Sequence, residues 1–97
     1  MHAVTRSYSG QGASELFDRI SAASDEVEGL LRGVKGFVSY TLFRTDDGGV
    51  TVTVCQDKSG TDESLGVARD WVAANASDID VGAPTVAEGP VGMYLSS

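Results

Sequence analysis

The spacing of apolar residues along this chain changes four times, and the order of those changes leaves few folds open. From His2 to Ser9, Val4, Arg6 and Tyr8 alternate with Ala3, Thr5 and Ser7, a period of two that predicts a strand closed by Gly10 and Gly12. Leu16, Ile20, Ala23, Val27, Leu30 and Leu31 then recur at spacings of three and four, which predicts one amphipathic helix. Ser14 is its expected N-cap, Glu15 and Asp18 suit the positive end of the helix dipole, and Gly33 is the expected left-handed stop. After Gly36 the period returns to two. Phe37 to Thr45 sets Val38, Tyr40 and Leu42 against Phe37, Ser39, Thr41 and Phe43, and Val50 to Cys55 alternates valine with Thr51, Thr53 and Cys55. Asp46-Asp47-Gly48-Gly49 between them carries hairpin turn chemistry, with residues that tolerate positive φ.

A second helix follows the loop Asp57 to Gly60, capped by Ser59 or Thr61, with Leu65, Ala68, Trp71 or Val72, Asn75 and Ala76 on its stripe. Thr85 to Leu95 predicts a last strand, broken at Gly89-Pro90 because proline interrupts a strand ladder. The order βαββαβ is that of an α+β ferredoxin-like domain: a four-stranded antiparallel sheet with two helices on one face. The other face then carries either Val50, Val52 and Val54 or Thr51, Thr53 and Cys55, and it needs a cover. A second copy of the chain is the simplest cover, since a two-fold contact needs only one self-complementary patch.

Composition narrows the function classes. The 97 residues suit a single domain, 1–97, and 14 acids against 7 lysines and arginines give a net charge of −7. That sign does not suit gripping nucleic acid. Cys55 is the only cysteine, which excludes an internal disulfide and a cysteine-based zinc site. No apolar run approaches the ~20 residues of a membrane helix, and Met1–Gly10 lacks a charged-then-apolar leader pattern, so a cytoplasmic protein is expected. The span Glu15–Arg32 holds five acids and two bases, and Asp57–Asp80 six acids and two bases; the rest of the chain is balanced. The charge is therefore expected on the outer helix faces, and the sheet is expected to be nearly neutral.

Gly36-Phe37-Val38-Ser39-Tyr40, the hairpin, Val52-Thr53-Val54-Cys55, and Asp57-Lys58 with acids entering a helix together resemble the dimeric α+β barrel superfamily. Within it, the pattern is similar to that of antibiotic biosynthesis monooxygenase-like domains. The resemblance implies two protomers packed sheet to sheet, each with a pocket between helices and sheet. It also implies cofactor-independent oxygenation of an aromatic or quinol substrate, with no metal and no organic cofactor. Two positions depart from the family pattern. Cys55 stands where many members have Trp, and Ser64 where many have His. Haem-degrading members ligate iron through a helical His, whereas the one histidine here is His2, at an N-terminus expected to fray.

Several side chains carry possible chemistry. Trp71 and Asn75 lie four apart on a helix and would together offer a π surface and an amide, unless Trp71 is a packing residue. Arg6 and Tyr8 share a strand face and would present a cation beside a phenol to an anionic or enolate-like oxygen. The other reading of that pair is edge-strand snorkelling with a dimer-interface hydrogen bond. Tyr40, Arg44 and Tyr94 are further polar residues in apolar surroundings. Cys55 has no base beside it and reads as a small buried hydrophobe. Asp46-Asp47 and Asp78/Asp80 read as solvated turn acids, without calcium-loop spacing, and Gly10-Gln11-Gly12 is too short to cradle phosphate.

The expected substrate-binding residues are thus Arg6, Tyr8, Tyr40, Trp71 and Asn75. The absence of Trp at 55 and His at 64 favours the alternative, a non-catalytic dimeric module that binds a ligand or simply assembles. An open helix–sheet cleft would support the enzyme reading and a filled one would remove it.

Overall fold

The computed structural model describes residues 1–97. The elements are β1 (His2–Ser9), α1 (Ala13–Ala22), α2 (Ser24–Arg32), β2 (Phe37–Thr45), β3 (Gly48–Cys55), α3 (Lys58–Asn75) and β4 (Thr85–Pro90). The strands form one antiparallel sheet in the order β2-β3-β1-β4. With the helices on one side, this is the ferredoxin-like α+β fold expected from the element order.

The predicted first helix is two helices. It breaks at Ala23 (φ −107, ψ 27), whose N–H is shared between the carbonyls of Arg19 and Ile20. No Gly or Pro marks the spot, and both halves keep the same apolar stripe, so the local pattern carries no sign of the break. The N-cap of α1 is Gly12, at φ 81, in place of Ser14. A side chain there would run into the backbone of Asp80, and no L-residue adopts that φ without strain. Gly33 is right-handed (φ −77), and the left-handed residue that redirects the chain into β2 is Gly36 at φ 78. The cap of α3 is Asp57, which accepts from the Gly60 N–H at 3.2 Å, in place of Ser59 or Thr61.

The hairpin turn is the two-residue connection Asp46-Asp47, and none of its residues has positive φ. Gly48 and Gly49 belong to β3, where they are needed for close approach. A Cβ on Gly49 would enter the ring of Phe17, which is fully buried. Phe17, Leu16 and Ala13 of α1 pack with Tyr8, Ala76 and Ile79 as the core between helices and sheet. Burying a side chain the size of Phe17 contributes on the order of 1.5–3 kcal/mol.

Strand register decides which side chains meet the helices. Tyr40, Thr53 and Val4 form one cross-strand row, and Leu42, Thr51, Arg6 and Val86 the next, both on the helix side. The opposite face carries Val50, Val52 and Val54, flanked by Ala3, Thr5 and Ser7 on β1, Ser39, Thr41 and Phe43 on β2, and Thr85 and Ala87 on β4. Every charged strand residue (Arg6, Arg44 and Glu88) lies on the helix side, so the uncovered face has no charge at all. Val38 is bulged, which moves Phe37 into line with Cys55 and off the face predicted for it. The strand ladder stops at Pro90 instead of resuming toward Leu95: Val91 donates to the Met1 carbonyl, and Met93 and Leu95 are exposed.

Candidate functional site

The alternation along β1 puts Arg6 and Tyr8 on the same side, and β1 is a central strand, so both project into the space beneath the helices. This overturns the edge-strand and interface reading of the pair, because Ala3, Thr5 and Ser7 take the outer face. The Arg6 guanidinium donates to the Tyr8 hydroxyl at 2.6 Å and lies 5.4 Å from its ring centre. Phe17 meets the Tyr8 ring edge-on at a centroid distance of 6.1 Å and fixes its position.

Arg6 differs from every other arginine in the chain. Arg19 pairs with Asp78, Arg32 with Glu28, Arg44 with Asp18 and Arg69 with Asp70, but no carboxylate lies within 4.0 Å of Arg6. In a chain with 14 acids, this half-buried cation is left facing a cavity. Burial raises the Tyr8 phenol above its ordinary value of 10.0, and Arg6 offsets part of that rise. Burial likewise raises Tyr40, with Arg6 opposing. Both phenols are therefore neutral donors at physiological pH. Arg6, Tyr8 and Tyr40 supply preorganised N–H and O–H groups to a largely apolar cavity.

The cavity walls come from all layers: Val4, Arg6 and Tyr8 on β1, Tyr40 on β2, Thr51 and Thr53 on β3, Val27 and Leu31 on α2, and Leu65, Ala68, Trp71 and Val72 on α3. Its inner volume is only about 40 Å³, which accommodates water but not an aromatic ring. It adjoins a groove of about 540 Å³ between α1–α2 and β2, sharing Ile20, Val27, Leu31 and Tyr40 as common walls. That outer volume lies in the range of small-molecule sites. At Arg6 the cleft as it stands is nearly filled by its own side chains, against the open cleft the enzyme reading expects, and the space for a ring lies in the groove along β2.

Of the five residues expected at the site, Arg6, Tyr8, Tyr40 and Trp71 line the cavity and Asn75 does not. Asn75 turns back to donate to the Trp71 carbonyl at 3.0 Å, on the exposed end of α3. Trp71 is buried, and its Nε1 donates across to Glu26 of α2 at 3.0 Å. Thr51, Thr53 and Ser64 also reach the cavity, three hydroxyls that the sequence reading did not include. The signal for the two threonines was strand parity, since Thr51 is opposite Arg6 and Thr53 opposite Val4. Ser64 is buried and donates to the Thr61 carbonyl at 2.7 Å.

Other candidates lie elsewhere. Arg44 binds Asp18 and the Ser14 carbonyl on the outside of α1, and Tyr94 sits past β4. Cys55 is fully buried, and burial, with Asp57 and Glu63 adding to it, pushes its thiol up, opposite to what a nucleophile needs. Asp78 is engaged by Arg19, and Asp80 accepts from Gln11. His2 is not frayed: its Nδ1 lies 2.9 Å from the Thr61 hydroxyl and its Nε2 3.8 Å from Glu88. It does not line the cavity, and no wall residue offers imidazole, thiolate or thioether. A haem iron held by a protein side chain of that kind does not fit this cleft.

Element order and sheet topology together define the class of fold, a ferredoxin-like α+β protomer with a cleft between its helices and its sheet. Solved structures of other proteins share this fold. One is a monooxygenase from the gene ActVA-Orf6 of Streptomyces coelicolor, in complex with Nanaomycin D, at a TM-score of 0.69 and 20% identity over 99% of this chain and 92% of that one. Another is NE2512, a protein of unknown function from Nitrosomonas europaea, at 0.76 and 14% identity over 99% and 93%. A third is SnoaB, a cofactor-independent oxygenase from Streptomyces nogalater, at 0.62 and 17% identity over 99% and 96%. No family model and no curated protein matches the sequence. No helix is long and apolar enough to cross a membrane.

Proposed function

We propose that this chain binds a small aromatic molecule through an acidic or enolic oxygen and oxygenates it without a metal or organic cofactor. The observation that carries the reading is Arg6, the one arginine without a carboxylate partner, hydrogen-bonded to Tyr8 in a largely apolar cleft. Held as its anion by Arg6, Tyr8 and Tyr40 after losing its proton to water, an electron-rich phenol or quinol carries electron density on a ring carbon. That carbon bonds dioxygen, the peroxide takes up a proton, and its O–O bond breaks to leave one oxygen on carbon as a carbonyl and release the other, with the carbon-bound hydrogen, as water. Trp71 offers a flat apolar wall for the ring. The likeness in fold to a monooxygenase and a cofactor-independent oxygenase supports this choice of chemistry.

The working unit in this reading is a homodimer in the cytoplasm. The outer sheet face, with Val50 and Val52 half-buried, Val54 already buried within the chain and no charge, is what a second copy would cover. Oxygen uptake with a panel of quinols and anthrones, for the parent chain and for Arg6→Ala and Trp71→Ala, tests the activity. Uptake that exceeds background and falls in both variants supports it. A second reading, a non-catalytic ligand-binding or assembly module, is favoured by the small inner cavity, and it stands if no substrate gives uptake while ligands still bind.

A further inference from the structure

The inner cavity and the outer groove share four walls, Val27 and Leu31 of α2, Ile20 of α1 and Tyr40 of β2, and of these elements α2 is weakly held. We infer that α2 is a gate, hinged at Ala23 and latched by the Glu26–Trp71 hydrogen bond, through which a ligand reaches Arg6. This inference rests on the cleft being the binding site. The helix is interrupted at Ala23, so α2 can tilt without bending α1. Neighbouring α1 is anchored by three fully buried residues and by Arg44 and Arg19 reaching other elements, whereas Leu31 is the only buried residue of α2. The Glu28–Arg32 pair is internal to α2, which leaves Trp71 Nε1 to Glu26 as its one side-chain hydrogen bond to the rest of the chain. Val27 and Leu31 are two of the four walls common to both volumes, so moving α2 outward widens the passage from the groove of about 540 Å³ to the cavity of about 40 Å³, past Ile20 and Tyr40.

Glu26 is exposed, so removing it leaves the core intact. Losing one hydrogen bond shifts the local opening equilibrium by about fivefold. Amide exchange in α2 of the ligand-free protein should therefore be faster than in α1. It should rise about fivefold further in Glu26→Ala and return toward the parent rate in Glu26→Gln, which keeps an acceptor. The global unfolding constant should rise by no more than the same fivefold, since the unfolded chain lacks the bond as well. In stopped flow, anilinonaphthalene sulfonate, an aromatic anion, should associate faster with Glu26→Ala. Exchange in α2 that matches α1, or that is unchanged by Glu26→Ala, overturns the gate whatever the dye does. Fast α2 exchange with dye binding indifferent to Arg6→Ala leaves the gate standing and removes the ligand reading.

Discussion

The Arg6 guanidinium and the Tyr8 hydroxyl are 2.6 Å apart on the same face of a central strand. A hydroxyl that accepts from a cation is a better donor to a third group, which in the proposed reading is the oxygen of a bound ligand. Arg6→Ala and Tyr40→Phe should each weaken binding of an anionic aromatic, Arg6→Ala by roughly ten- to hundredfold, the usual worth of one hydrogen bond to a charge. Titration calorimetry with a neutral isostere as control checks it. Equal losses for the neutral ligand would show that packing, not charge, is at work.

Gly49 and Phe17 make a second pair whose roles are tied. Gly49→Ala forces a methyl into the Phe17 ring and should destabilise the fold by about 1–3 kcal/mol. In Phe17→Leu the ring is gone, so the same alanine should cost less there. Urea denaturation of the two single variants and the double variant gives the coupling; additive costs would contradict the contact.

The uncovered sheet face yields a mass prediction. Val52→Lys, placed at its centre, should convert a dimer to a protomer near 10.1 kDa in light scattering, with far-ultraviolet circular dichroism unchanged. A parent chain that is already monomeric at micromolar concentration contradicts the dimer.

Stability should fall at high pH. Cys55, Tyr8 and Tyr40 all have folded values raised above the ordinary 9.0 and 10.0, chiefly by burial. Their contribution is complete below those ordinary values and is lost as pH rises toward the folded ones. Thermal midpoints should hold to about pH 9 and then decline, and the decline should be shallower in Tyr40→Phe.

At the acid end the sign reverses. Hydrogen bonds from Ser59 and the Gly60 N–H hold the Asp57 carboxyl below its ordinary 3.8. Its stabilisation is present above that value and is lost as pH falls through the lower folded one. Asp57→Ala should melt earlier than the parent at neutral pH, and the gap should close under strong acid. Asp57→Asn should lie between them.

What the sequence by itself determined was everything set by local periodicity: β1 from His2 to Ser9, the hairpin strands, and the sharing of one face by Arg6 and Tyr8. A strand's period of two places a side chain without knowledge of the rest of the chain. Which face the helices cover is another matter. The valines and the Thr51, Thr53, Cys55 set were both eligible, and the choice followed from where Phe17 and Trp71 pack. The break at Ala23, the bulge at Val38 and the turning back of Asn75 likewise have no local signal, since each satisfies contacts with residues distant in sequence. His2 looked loose because it is terminal, but pairing across β1 and the Thr61 hydroxyl hold it. The nearly neutral sheet inferred from the charge count became, in three dimensions, a face with no charge. Only the packing of α2 against the sheet decided that the cleft behind that sheet is narrow at Arg6 and wide at its mouth.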